Sequence, residues 1–146
     1  MIKKISFSFL ISFSSIIWAK EEASIFTKNK YGFEEKTGSV RESSPKDRKD
    51  IYTKNKYGFE ERTGSVRKSS SSEIKDVYSK NKYGFEERTG SIRESSSNGQ
   101  KDIYTKNKYG FEEKTGSLRE NSSGGFDIYK KNKYGFEEKV GSVKSK

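Results

Sequence analysis

Five near-copies of one short unit run through the chain, and this repetition constrains most of what it can fold into. Tyr-Gly-Phe-Glu-Glu starts at Tyr31, Tyr57, Tyr83, Tyr109 and Tyr134, at spacings of 26, 26, 26 and 25 residues. The fullest unit runs from Asp50 to Arg67. A period of this size marks a supersecondary repeat that cannot bury its apolar face alone. Changes inside the unit keep chemical class. Position 62 and its equivalents are Lys or Arg, and position 66 and its equivalents are Val, Ile or Leu. The joins at 42–49, 68–75, 94–101 and 120–126 vary more and are built of Ser, Asn, Gly and charge, as solvated turns or linkers are. Constant units beside variable joins point to a packing or binding constraint on the unit, over recent duplication alone.

The chain begins with Lys3 and Lys4, continues through an apolar but Ser-broken stretch from Ile5 to Trp18, and reaches Ala19 before Lys20-Glu21-Glu22. The order basic, apolar, small, polar is that of a secretory signal peptide. We expect residues 1–19 to be the signal peptide and residues 20–146 a single repeat array. Its units lie at about 25–44, 50–70, 76–96, 102–121 and 127–146. Removing Lys3 and Lys4 lowers the formal net charge from +10 to +8. No stretch after residue 20 has the roughly 20 apolar residues that a membrane-spanning helix requires. The expected location is secreted or periplasmic.

The unit reads as a hairpin. Gly, Asn, β-branched and aromatic residues interrupt every helical window, and apolar residues do not recur at a 3.6-residue period. Asn55-Lys56-Tyr57-Gly58 has Asn at the first and Gly at the fourth turn position, the chemistry of a type I turn followed by a left-handed Gly. This turn predicts that Lys54 faces Glu60, Thr53 faces Glu61, Tyr52 faces Arg62 and Ile51 faces Thr63. One face would carry the Lys54–Glu60 charge pair and a Tyr52–Arg62 cation–π pair. The other would carry Ile51, Thr53, Phe59 and Thr63, with Glu61 as a misfit. A bulge at Gly64-Ser65 would return Val66 to the apolar face. Each unit would then supply Ile, Phe and Val to a shared core. In the fifth unit Lys130 faces Glu138 and Val140 faces Ile128, both improving the pairs. The expected fold is therefore all-β: tandem antiparallel β-hairpins, one per unit of about 26 residues, in a closed or stacked array with room for partly disordered joins; loosely strung units are the third arrangement the sequence leaves open.

Through Tyr52, Gly58 and Thr63-Gly64-Ser65-Val66-Arg67, the unit resembles secreted bacterial hairpin-repeat proteins, among them the small β-flower-like domains. Their units read Tyr-Asp-x-x-Gly and, a few residues later, Thr-Gly-Ser-apolar-Arg. Here both arms are two residues longer and Thr53 stands where Asp follows Tyr. The resemblance covers residues 25–146. It implies an all-β, exported, noncatalytic protein built as an array of hairpins, and it implies no ligand.

Composition narrows the chemistry. With no Cys and no His there is no disulfide framework, no Cys/His metal site and no Cys–His or Ser–His catalytic pair. No cofactor is expected. Glu60-Glu61 is the one acidic pair worth testing for catalysis. Neighbours in a strand point to opposite faces, so the pair would not share a site. We therefore expect no enzyme.

Repetition favours binding instead, because weak contacts repeated on one scaffold reinforce each other. The candidate ligand-binding residues are Lys56, Tyr57, Arg62 and Arg67, with their equivalents Lys82, Tyr83, Arg88 and Arg93, then Lys108, Tyr109, Lys114 and Arg119. An exported basic array of this kind would bind anionic polysaccharide, cell-wall polymer or another envelope surface, or serve as a surface structure. Acids interspersed among the bases leave no clean stripe for nucleic acid. The alternative is a multicopy precursor cleaved into short secreted peptides. Against it, Lys130-Lys131 is the one Lys-Lys pair after residue 20, and the joins share no uniform cleavage sequence.

Overall fold

Each unit supplies two antiparallel strands, and the computed structural model arranges the five hairpins as a ten-stranded closed barrel. It describes residues 22–44, 47–71, 73–96 and 99–145; the expected signal peptide lies outside the described residues. The strands are β1 (Glu22–Lys28), β2 (Glu34–Ser43), β3 (Arg48–Lys54), β4 (Glu60–Lys68), β5 (Ile74–Lys80), β6 (Glu86–Glu94), β7 (Gln100–Lys106), β8 (Glu112–Glu120), β9 (Phe126–Lys131) and β10 (Glu137–Ser145). Each strand pairs with its sequence neighbours, and β1 pairs with β10 to close the ring. Of the arrangements the sequence leaves open, closed, stacked or loosely strung, the closed one is found. Closure leaves no edge strand open to other chains.

The turn chemistry acts as its residues suggest. The Gly58 N–H donates to the Asn55 carbonyl at 3.0 Å, and the Asn55 N–H donates to the Phe59 carbonyl at 2.8 Å. Gly58 has φ +86°, a left-handed conformation that a β-carbon would disfavour. From the turn outward the register is Lys54↔Glu60, Thr53↔Glu61 and Tyr52↔Arg62, as the sequence predicts.

Beyond Arg62 the register departs from expectation. Ile51 faces Gly64, and Thr63 is the extra residue of a bulge one step earlier than Gly64-Ser65. The bulge still brings Val66 onto the face of Ile51. Its position follows from the neighbouring hairpin: Gly64 must lie flat against Ser79 of β5, so the irregularity falls on the residue before it. In the fifth hairpin Glu138 faces Lys130, while Val140 occupies the bulge, packs against the core and leaves Gly141 opposite Ile128.

Every strand turns one Ile, Val or Leu into the barrel, and Ala23 and Phe126 join the same core. Ile25, Val40, Ile51, Val66, Val77, Ile92, Ile103, Leu118, Ile128 and Val143 are all essentially buried. Burying each such side chain stabilises the fold by roughly 1.5–3 kcal/mol. This core answers how a chain poor in apolar residues can fold: the closed ring lets twelve buried apolar residues share one interior. Phe59 and its equivalents are not part of it. They sit on the turns and are exposed, because the turn ends the strand before Phe59 reaches the interior.

One register position toward the joins is more varied. It holds Ala23, Lys49, Lys75, Lys101 and Phe126 in the successive hairpins. Lys49 is fully buried and ion-paired to Glu42 at 3.4 Å, and Lys101 is ion-paired to Glu94.

Candidate site: a crown of five turns

An up-and-down ring of hairpins puts all five tight turns at one end and all the joins at the other. The turn end is a crown. Tyr31, Tyr57, Tyr83, Tyr109 and Tyr134 are 71–72% exposed, and Phe33, Phe59, Phe85, Phe111 and Phe136 are 70–71% exposed. Ten large aromatic side chains in the solvent at one end of a small barrel are unusual, since contiguous apolar surface on a monomer commonly marks an interaction site. A lysine flanks each Tyr: Lys56 Nζ lies 4.8 Å from the Tyr57 ring centre, and Lys30, Lys82, Lys108 and Lys133 repeat the arrangement at 4.8–4.9 Å. This is a cation–π distance.

The crown is held rigid by its asparagines. Asn55 Oδ1 accepts the Tyr57 N–H at 2.9 Å and the Phe59 N–H at 3.1 Å. Asn55 Nδ2 donates to Glu61 Oε1 at 2.7 Å, which gives the expected misfit Glu61 its role. The same set recurs at Asn29, Asn81, Asn107 and Asn132. Each turn thus uses its backbone N–H groups at Asn55, Tyr57, Gly58 and Phe59 internally and presents mainly side chains to a partner.

The expected binding residues divide into two groups. Lys56, Tyr57, Lys82, Tyr83, Lys108 and Tyr109 stand together on the crown. Arg62, Arg67, Arg88, Arg93, Lys114 and Arg119 lie on the outer wall: the five arginines each reach a glutamate of the next hairpin, whereas Lys114 pairs with Asp102 of its own hairpin. Glu86 is the hub of one seam. It accepts Arg62 Nη2 at 2.6 Å and Ser65 Oγ at 3.0 Å, and it also accepts Arg67. Arg62 reaches Asp50 at 2.9 Å as well. Glu60, Glu112 and Glu137 serve the other seams with Arg41, Arg93 and Arg119, and at the closing seam Glu34 takes Ser142 Oγ at 3.0 Å and Lys144 at 3.7 Å.

The tyrosine of each first strand receives its cation from the preceding hairpin. Arg41, Arg67, Arg93 and Arg119 lie over Tyr52, Tyr78, Tyr104 and Tyr129 at 4.1–4.5 Å, and Lys144 lies 4.7 Å from Phe26 across the closing seam. The cation expected from Arg62 within the hairpin thus comes from Arg41 across the seam, while Arg62 goes to Asp50 and Glu86. Lys114 and Lys139 are hydrogen-bonded to Asp102 and Asp127, which raises both ammonium groups above the usual lysine value against some desolvation.

The two carboxylates of each Glu-Glu pair serve different walls. Glu60 pairs with Arg41 on the outside, and Glu61 holds Asn55 at the inner rim. A shared acid–base site is not formed by this pair.

Sequence reasoning missed Phe59 as a crown residue. Alternation from Ile51 placed it inward. The signal that could have corrected this was its position directly after the left-handed Gly, where the chain is still turning.

A cleft of about 550 Å³ opens between β4 and the turn of the next hairpin, lined by Glu61, Arg62, Thr63, Lys80, Asn81, Lys82 and Gly84. It offers cationic and hydrogen-bonding groups beside the aromatic tips.

No family model matches the chain, and no curated protein matches it. A solved structure of a protein of unknown function from Bacteroides fragilis NCTC 9343 is similar at a TM-score of 0.38 and 12% identity, covering 85% of this chain and 92% of that one.

Proposed function

We propose that this chain is an exported, noncatalytic repeat protein that acts as a multivalent binding module for an anionic component of the cell envelope. The observation that carries the reading is the crown: five equivalent, rigid turns at one end, each exposing a lysine, a tyrosine and a phenylalanine. The outer-wall cations support it indirectly. They are engaged in ion pairs, the arginines between hairpins and Lys114 within its own, which leaves the crown as the repeated surface with side chains free for a partner. Five weak contacts on one rigid ring add through effective concentration, so each turn need bind only weakly. The basic-apolar-small order of residues 1–19 supports export.

Two measurements test this. Mass spectrometry of the protein recovered from outside the cytoplasm should find a chain starting near Lys20. Full-length variants with Lys-Tyr replaced by Ser-Ser in one, three and five turns should lose affinity for isolated envelope polymer more steeply than in proportion to the turns removed. Affinity independent of the number of intact turns would overturn the reading.

A further inference from the structure

We propose that the crown docks flat onto an anionic lipid bilayer, with the five phenylalanines entering the interface and the five tip lysines engaging lipid phosphates. This rests on the binding role proposed above and names its ligand. Three features of the crown and one of the wall carry it.

The first is shape. Ten aromatic side chains at one end of a closed ring form a roughly level array, which suits an extended surface better than a single polymer strand. The second is polarity. A turn entering a bilayer interface must not carry unpaired backbone donors, because desolvating them is costly. Here four of the five backbone N–H groups of residues 55–59, those at Asn55, Tyr57, Gly58 and Phe59, are bonded within the turn, two of them to Asn55 Oδ1, and the Lys56 N–H is the one donor left for a headgroup oxygen.

The third is charge. Among turn residues 55–59 the one charged side chain is Lys56, so the outermost layer of the crown is cationic in all five hairpins. The carboxylates stand behind it: Glu60 is paired to Arg41 on the wall, and Glu61 is bonded to Asn55. Lysine beside aromatic side chains is the composition of interfacial anchors, and each lysine near an anionic surface adds to the attraction. The same cationic layer opposes crown-to-crown pairing of two copies.

The fourth is the wall. A spanning barrel needs an outward apolar band, whereas this wall carries Asp50, Arg62, Arg67 and Glu86. The barrel therefore meets a bilayer with its end and does not thread it.

The test uses protein spanning residues 20–146, which holds the whole barrel, and co-sedimentation with vesicles. Pure phosphatidylcholine vesicles are compared with vesicles containing one quarter phosphatidylglycerol. We expect binding to the anionic vesicles, loss of most binding in high salt, and little binding to phosphatidylcholine alone. Replacing Phe33, Phe59, Phe85, Phe111 and Phe136 by Ser should weaken vesicle binding by at least about tenfold. The thermal melt should be unchanged, since these side chains are exposed.

Vesicle binding that survives the five Phe→Ser changes would overturn the proposal, as would absence of vesicle binding by a folded protein. A dimer in sedimentation velocity that the same changes dissolve would overturn it in favour of a second copy. Soluble dextran sulfate separates the two readings. Turn-dependent binding to it without vesicle binding removes the lipid proposal and leaves multivalent anion binding standing, whereas binding to neither removes both.

Discussion

Gly64 lies against the carbonyl oxygen of Tyr78 on the neighbouring hairpin so closely that a β-carbon at Gly64 would stand 2.3 Å from it. Gly38, Gly90, Gly116 and Gly141 stand in the same relation to Tyr52, Tyr104, Tyr129 and Phe26. The glycine of every Thr-Gly-Ser or Val-Gly-Ser is therefore a seam residue. It allows one hairpin's backbone to approach the next, and at Gly141 it allows the ring to close.

Gly64→Ala should cost about 2–4 kcal/mol, because the obstacle is backbone and cannot swing aside. Gly58→Ala should cost only about 1 kcal/mol, since its site is open and the penalty is that of a left-handed conformation alone. Urea denaturation of both variants would check the order. A larger loss at Gly58 would contradict the seam role of Gly64.

Phe59→Ala should leave stability within about 0.5 kcal/mol, as expected for a surface change. Val66→Ala, in the filled interior, should cost about 2 kcal/mol or more. Thermal melts of the two variants separate a crown role for Phe59 from a core role.

Glu86→Gln removes the charge on which Arg62, Ser65 and Arg67 converge. Because the hub is mostly shielded from solvent, the loss should be about 1–3 kcal/mol. Glu87→Gln is the control. Glu87 is exposed, and its one bond here is accepted from Asn81, which a glutamine oxygen can also accept. It should change stability by less than about 0.5 kcal/mol. Equal effects in denaturant titrations would argue against a seam hub.

Burial pushes the Lys75 ammonium below the usual lysine value of 10.5. Nearby Lys101 and Lys68 act in the same direction, and Glu94 opposes them. The unfolded chain therefore keeps this proton to higher pH than the folded one, so the Lys75 contribution to stability rises as pH climbs toward 10.5. Lys114 and Lys139 act oppositely. Their folded values lie above 10.5, so their contribution is present below that pH and is lost as pH rises through the folded values. Lys75→Met should melt a few degrees above the parent at pH 7, by about 1 kcal/mol, and the gap should narrow toward pH 10.5. Melts at pH 7, 9 and 10.5 would show this. A variant that melts lower at pH 7 would mean that its ion pairing outweighs desolvation.

Much of the hairpin was legible from residues close together in the chain. Asn55 and Gly58 specify their turn through the Asn side chain and the left-handed Gly, and the turn sets the pairing as far as Tyr52 and Arg62. The crown was half legible. Lys56 and Tyr57 could be named from repetition, whereas Phe59 was assigned inward by an alternation that begins only after the turn ends. Arg62 and Arg67 read equally well as ligand cations or wall cations, because their partner Glu86 belongs to the next unit, about 20 residues on.

By itself, then, the sequence determined the repeating hairpin, its turn, its first three pairs and the inward Ile or Val of each first strand, because these depend on local backbone preference and on the two-residue alternation of a strand. Tertiary structure decided the rest: that five hairpins close on themselves through β1 and β10, that the bulge falls at Thr63, that Gly64 is a seam residue, and that the aromatics gather at one end. Each of these depends on contact between units, and near-identical units carry the same local instructions whether they close, stack or stay apart.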